Sequence, residues 1–313
     1  MLRIGVIGAG AMGKNHIRIY SEMPDVELVG IADIDKELVE GLAQQYHTNA
    51  FTDYNELLAR GLDAVSIVVP TKMHRQVAIT AIEAGAHVLV EKPIADTVVN
   101  AEAIIKAAND NNRFVMVGHI ERFNPAVIKL KEIINKGLLG KIVSLSTTRV
   151  GSYNPRIRDV GVILDIGVHD IDIISYLYGR PVNQVYAVAG ADIHSFEDHA
   201  TIHMRLGHEF SGLVEVNWLT PHKIRKLTAV GIDGVAYLDY IDQTVELHDS
   251  GWVRQAKIEP KEPLKNELEY FIDCIRNGKQ PEPSGIDGLH VLEVSLAAIR
   301  SYKEAKLIEI KEL

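Results

Sequence analysis

A short apolar run, Leu2 to Ile7, leads into Gly8-Ala9-Gly10-Ala11-Met12-Gly13, and Lys14 to Ser21 continues with a helical pattern. A second apolar run, Val26 to Ala32, ends on Asp33, twenty residues beyond Gly13. This order of strand, glycine turn, helix, strand and acid is the spacing of a dinucleotide fingerprint. Each part has its own reason. Gly8 permits the tight turn, Gly10 lets the backbone approach a pyrophosphate, and Gly13 lets helix and strand pack closely. Ala9, Ala11 and Met12 complete the loop, and exposed amides at the helix start attract phosphate charge. Asp33 is the acceptor for a ribose diol. A carboxylate there repels a 2′-phosphate, and Ile34 and Asp35 supply no arginine to receive one. NAD is therefore the expected cofactor, with NADP kept open by Lys36. The alternative without a ligand is a flavodoxin-like fold with an accidental glycine turn.

The alternation continues. Helical stretches are expected at 36–45, 53–60, 74–83 and 98–110, and strands at 64–69, 87–90 and 114–118. A six-stranded, doubly wound parallel sheet with crossover helices is expected, five of its strands being located by these runs. Pro70-Thr71 and Glu91-Lys92 then fall at carboxyl ends of strands, the edge where such sheets bind ligands. Pro93 cannot continue a central strand, so the chain turns there and carries Lys92 with it. These positions, with His74 and Arg122, are the further candidates for cofactor contact. For His74 a locally satisfied helix-terminal histidine is an equal alternative.

The chain of 313 residues is long for one core, and two domains are expected, 1–120 and 121–313. Asp and Glu exceed Lys and Arg, 42 to 33, which argues against nucleic acid as a partner. The single cysteine, Cys274, excludes an internal disulfide and suggests a reducing compartment. No apolar run approaches the ~18 residues of a membrane span. The first strand also starts too early for a signal peptide. A cytoplasmic protein without a membrane partner is the expectation.

Beyond Gly118 the pattern changes. Asn124-Pro125 starts a helix that runs to about Lys136, with Gly137 ending it. From Ile142 strands dominate, and Thr201–Leu206 and Leu213–Trp218 alternate about a Gly207-His208 turn, which predicts a hairpin. The second domain is thus expected to be α/β, with a large open, mostly antiparallel sheet. Helices at 163–178 and 264–277 would cover part of it. A second subunit would cover the rest, giving a homodimer or homotetramer.

The strongest chemical signal in this half is Asp165 followed four residues later by His169. On a helix the two share a face, and a carboxylate beside an imidazole fixes its tautomer and supports the imidazolium. His169 is thus a candidate general base, against the alternative of an ordinary solvated pair. His194, His199 and His203 form no metal site by this reading. His199 and His203 share a strand face but stand roughly 13 Å apart at ~3.3 Å per residue, and no metal is expected. Arg156, Arg158 and the cluster His222-Lys223-Ile224-Arg225-Lys226 are candidates for diphosphate oxygens. Solvated surface charge is the alternative for each.

Together, the glycine loop, Asp33, Glu91-Lys92-Pro93, Asp165-x-x-x-His169, Asn266-Glu267-Leu268 and Gly285-Ile286-Asp287-Gly288-Leu289 resemble the glucose–fructose oxidoreductase / inositol dehydrogenase (Gfo/Idh/MocA) family over essentially the whole chain. The resemblance implies NAD(P)-dependent oxidation of a sugar or polyol hydroxyl. It also implies catalytic roles for Lys92, Asp165 and His169, all three touching substrate. The phrases around Arg122, Arg156 and Trp218 resemble a branch acting on the 3-hydroxyl of UDP-N-acetylglucosamine, which the residue spacing itself does not derive. A free polyol dehydrogenase, or a non-catalytic NAD-binding regulator, is the alternative.

Overall fold

A computed structural model describes residues 1–155 and 160–310. The chain divides into two compact units, Met1–Ile120 with Leu264–Leu289, and Glu121–Pro263 with His290–Leu313. This differs in one segment from a contiguous second domain at 121–313: Leu264–Leu289 groups with the first unit.

The first unit is a six-stranded parallel sheet. Its strands are β1 (Leu2–Ile7), β2 (Val26–Ala32), β3 (Asn49–Phe51), β4 (Ala64–Ile67), β5 (His87–Glu91) and β6 (Val115–Gly118), in the order β3-β2-β1-β4-β5-β6. The crossover helices are α1 (Ala11–Glu22), α2 (Lys36–Gln45), α3 (Tyr54–Leu58), α4 (His74–Glu83) and α5 (Val98–Asp110). The central strands are near-continuous apolar runs because helices cover both faces. Val88, Leu89 and Val90, for example, have no exposed surface. The strand order reverses between β1 and β4, and a crevice forms at such a reversal. β3, only three residues long, is the strand the sequence pattern does not locate, since Asn49-Ala50-Phe51 is too short to alternate.

The returning segment borders β6. The Val117 amide donates to the Pro283 carbonyl at 3.1 Å, and Met116 bridges Ser284. It thereby covers a sheet edge that would otherwise expose unpaired backbone. The fit is close: a Cβ on Gly288 would come 2.6 Å from Val117.

The second unit holds a nine-stranded sheet. After α6 (Pro125–Asn135) come β7 (Ile142–Ser152), α7 (Val168–Tyr178), β8 (Gln184–Gly190), β9 (His199–Leu206) and β10 (Phe210–Asn217). Then follow β11 (Leu219–Gly231), β12 (Val235–Asp239), β13 (Thr244–His248), β14 (Val253–Gln255) and β15 (Ile308–Glu309). The order is β14-β13-β12-β11-β7-β10-β9-β8-β15, antiparallel except that β10 runs parallel to β7. The expected hairpin is present as β9 and β10, closed around Gly207 at φ +63°. The remaining helices are α8 (Pro263–Asn277) and α9 (Gly285–Glu304). One sheet face packs on Val127 and Leu130 of α6, Ile171 and Ile174 of α7, and Val294 and Ala298 of α9. Alternation along β8 buries Val185 and Ala187 and leaves Tyr186 and Val188 exposed. Among the described residues no helix is long and apolar enough to cross a membrane.

Candidate active site

In the first unit the glycine loop has the geometry its sequence implies. Gly8 sits at φ +100°, and a Cβ there would meet the Val68 carbonyl at 2.3 Å. A Cβ on Gly13 would lie 2.0 Å from the Gly8 carbonyl oxygen, whereas one on Gly10 would meet nothing within 4 Å. The loop therefore packs inward at Gly8 and Gly13 and stays open at Gly10, as an approaching pyrophosphate requires. α1 begins at Ala11 with no side-chain cap and no acid in its first turn. Its leading amides are left for a phosphate. Asp33 is fixed from two sides: its Oδ2 accepts from the Ala9 amide at 2.6 Å and its Oδ1 from the Asp35 amide at 3.0 Å. These residues fit NAD. Gly13→Ala is expected to cost about 1–3 kcal/mol of stability through overpacking against rigid backbone and to weaken NAD binding. Thermal melting and a fluorescence titration check the two effects.

Lys92 follows β5 directly and is half-buried. Glu91, a candidate for cofactor contact, has its carboxylate engaged within the first unit. Its carboxylate turns inward, 3.2 Å from Nε2 of the buried His16, and its Oε2 accepts from the Lys92 amide at 3.2 Å. Burial pushes this carboxyl up, but His16 and Lys92 outweigh burial and hold it below the usual range. Glu91 is thus a brace for the Lys92 backbone. His74 makes local contacts of the kind the alternative reading expects. It is buried, with Nδ1 3.0 Å from the Pro93 carbonyl and Nε2 2.9 Å from the Val69 carbonyl. It ties together the loops that carry Pro70-Thr71 and Lys92-Pro93. Thr71 opens a short 3₁₀ turn after Pro70.

In the second unit Asp165 lies on a π-helical turn, Ile163–Gly167, that runs straight into α7. The expected α-helical Asp165/His169 pair therefore straddles a π-to-α junction. Wide turns of this kind are frequent at functional sites. Its start is built by contact: Gly161 leaves room for the Glu197 side chain, and the Val162 amide donates to the Glu197 backbone carbonyl at 2.8 Å. The Trp218 indole N–H donates to Asp165 Oδ2 at 3.3 Å. Trp218 packs in turn against Tyr153 and His194, whose rings stack with centroids 3.9 Å apart. Asp165 and His169 are both half-buried.

α7 is held by two buried ion pairs. Arg149 on β7 donates through Nε to Asp170 at 2.9 Å and through Nη1 to Glu121 at 2.7 Å. Arg122 donates to Asp172 at 2.6 Å and stacks on Tyr176. Arg122, expected at the cofactor, is thus engaged with α7. Burial pushes the Glu121 carboxyl up, but Arg149 and Arg225 outweigh burial and hold it below the usual carboxylate range. A carboxyl with a depressed folded pKa contributes stability that is complete above its unfolded value, about 4.3. That stability is lost as pH falls through the lower folded value. Glu121→Gln is therefore expected to lose less melting temperature than wild type on acidification from about pH 5 to pH 3, read by a pH series of thermal melts.

Arg156 and Arg158 lie outside the described residues. Of the histidines weighed for metal, only His199 joins a set with metal-like spacing, with Asp192 and Asp198. Asp198 there accepts the Ile193 and His194 amides and faces His199 Nδ1 at 2.9 Å, which anchors the loop. Sequence reasoning missed Trp218, Glu197 and the Arg149 network. One signal was readable: Asp170 and Asp172 stand among Ile171, Ile173 and Ile174, and carboxylates in so apolar a helix need buried partners.

A model of an oxidoreductase family with an NAD-binding Rossmann fold matches residues 2–119, and a Gfo/Idh/MocA C-terminal domain matches 127–237. The chain belongs to the Gfo/Idh/MocA family and is an NAD-binding oxidoreductase. It is 29% identical over 305 residues to UDP-N-acetylglucosamine 3-dehydrogenase of Acidithiobacillus ferrooxidans, covering 94% of this chain and 95% of that protein. The solved structure of that enzyme superposes with a TM-score of 0.90 at 28% identity, covering 97% and 98% of the two chains. It is 26% identical to the scyllo-inositol 2-dehydrogenase (NAD(+)) of Bacillus subtilis, covering 99% and 96%.

Proposed function

We propose that this protein oxidises a secondary hydroxyl of a sugar to a ketone, and that its substrate is the 3-hydroxyl of UDP-N-acetylglucosamine or of a related nucleotide sugar. The nucleotide-sugar assignment rests on the likeness to the A. ferrooxidans enzyme, which extends over nearly the whole of both chains. In this reading Asp165 orients His169, and His169 takes the hydroxyl proton. The Lys92 ammonium donates to the same oxygen and stabilises the negative charge that develops there. Bound NAD supplies the hydride acceptor. Trp218 limits the positions Asp165 can take, so the dyad is ordered before substrate arrives. Arg156 and Arg158 join as substrate-binding residues.

A free polyol dehydrogenase is the second reading, favoured by the 26% identity to the B. subtilis enzyme. NADH formation with UDP-N-acetylglucosamine, N-acetylglucosamine and myo-inositol separates the two. Preference for either free compound over the nucleotide sugar would overturn the first reading. The exposed sheet face around Tyr186, Val188 and Tyr237 supports assembly as a homodimer or homotetramer, and the lone Cys274 supports a cytoplasmic location.

A further inference from the structure

The start of β11 concentrates positive charge in a way the fold alone does not require. Arg225 stands directly opposite Arg149 in the β7–β11 ladder. Like charges so placed are destabilising. Arg149 is compensated by Asp170 and Glu121. Among the described residues Arg225 is ion-paired only with the same Glu121, at 3.6 Å. Just before it the ladder register breaks between Leu219 and Ile224, so Thr220 to Lys223 bulge away from regular pairing. A bulge re-aims side chains and is common beside active sites. Among the described residues Arg225, Arg149 and Glu121 act on Lys223, and Arg225 first, then burial and Arg149, hold its ammonium below the usual range. Among the described residues, Arg149, Arg225 and Lys223 gather on Glu121 and Asp170, the two carboxylates that Arg149 already engages. Arg225 also lies within the electrostatic reach of Asp165. Lys223 and Arg225 are thus on the same unit as the candidate catalytic carboxylate.

We infer that Lys223 and Arg225 receive the diphosphate of the substrate and are specificity residues of this site; the inference rests on the nucleotide-sugar reading above. A guanidinium matches two phosphate oxygens at once, and an ammonium adds a mobile point charge. A diphosphate bound there would offset the Arg149/Arg225 repulsion. A neutral polyol offers nothing to these groups.

The test is calorimetric titration of UDP into the full chain saturated with NAD, so that the dinucleotide loop is occupied. Lys223→Gln suits it because Lys223 is exposed and the change removes charge without removing a core group. The expected result is a UDP dissociation constant at least about 10-fold weaker than wild type, with a parallel rise in KM for UDP-N-acetylglucosamine. Equal UDP binding by wild type and variant would overturn the assignment, as would absence of UDP binding to wild type. The two claims fail separately. Turnover of UDP-N-acetylglucosamine with UDP binding indifferent to Lys223 removes the cation site and keeps the substrate. Turnover of free sugars alone, with UDP binding still dependent on Lys223, keeps the cation site and removes the substrate.

Discussion

Lys92→Met is expected to bind NAD as wild type does and to lose about 10²–10³-fold in turnover, the usual effect of removing one preorganised donor to a developing oxyanion. Methionine keeps the length and apolar stem of lysine and deletes only the ammonium. The Glu91 brace acts through the Lys92 backbone amide, which the substitution leaves in place. The loop should therefore keep its shape, and the loss should appear in kcat with little change in NAD affinity. His169→Ala should fall by about 10²–10⁴-fold, the range for a lost general base. The two defects should also differ with pH. A variant without its base should gain rate as hydroxide rises, while a variant without the ammonium should keep the wild-type acid limb. Steady-state NADH absorbance across pH, with NAD binding measured by fluorescence, checks both. Wild-type turnover by Lys92→Met would sink the proposed mechanism and favour a protein that only senses NAD.

The second large effect concerns stability. Arg149→Met is expected to cost about 3–5 kcal/mol, because it leaves the buried Asp170 without its guanidinium and Glu121 with only the longer Arg225 contact at 3.6 Å. Arg149 and Asp170 are almost wholly inaccessible and Glu121 is nearly so. Urea unfolding reads the loss directly. Arg149→Met combined with Asp170→Leu should recover part of it, since apolar groups of similar volume often replace a buried pair at little cost. Asp170 neighbours His169 on α7, so single-variant activity should fall more than the folded fraction accounts for. A loss under about 1 kcal/mol would mean that Glu121 and Asp170 find other partners or water.

The sequence made the first unit readable and left much of the second obscure, for a physical reason. In a parallel sheet the strands are apolar throughout and the turns carry the chemistry, so Gly8, Gly13, Asp33 and Lys92 announce themselves by position. Asp165 and His169 were visible from their spacing, but the π-turn was not, because no residue pattern distinguishes one extra residue in a helical turn. His74, Glu91 and Arg122 were legible as polar groups near ligand-binding edges. The structure adds contacts that the pattern did not announce: His74 with the Val69 and Pro93 carbonyls, Glu91 with His16, and Arg122 with Asp172. Trp218 escaped for the same reason, lying 53 residues from the carboxylate it holds. The returning Leu264–Leu289 segment gave no sign that it would leave the second unit, since amphipathic helices do not state which sheet they cover.

The wide turn at Ile163–Gly167 also bears on how such a site diversifies. One residue of an α-helix sweeps about 100° around the axis. Deleting a single residue there would let the segment close into ordinary helix with little loss of backbone pairing, while swinging Asp165 away from the Trp218 indole. Insertion and deletion at this point offer a lineage a short route between active and inactive forms, or between one orientation of the sugar ring and another, without rebuilding the sheet beneath.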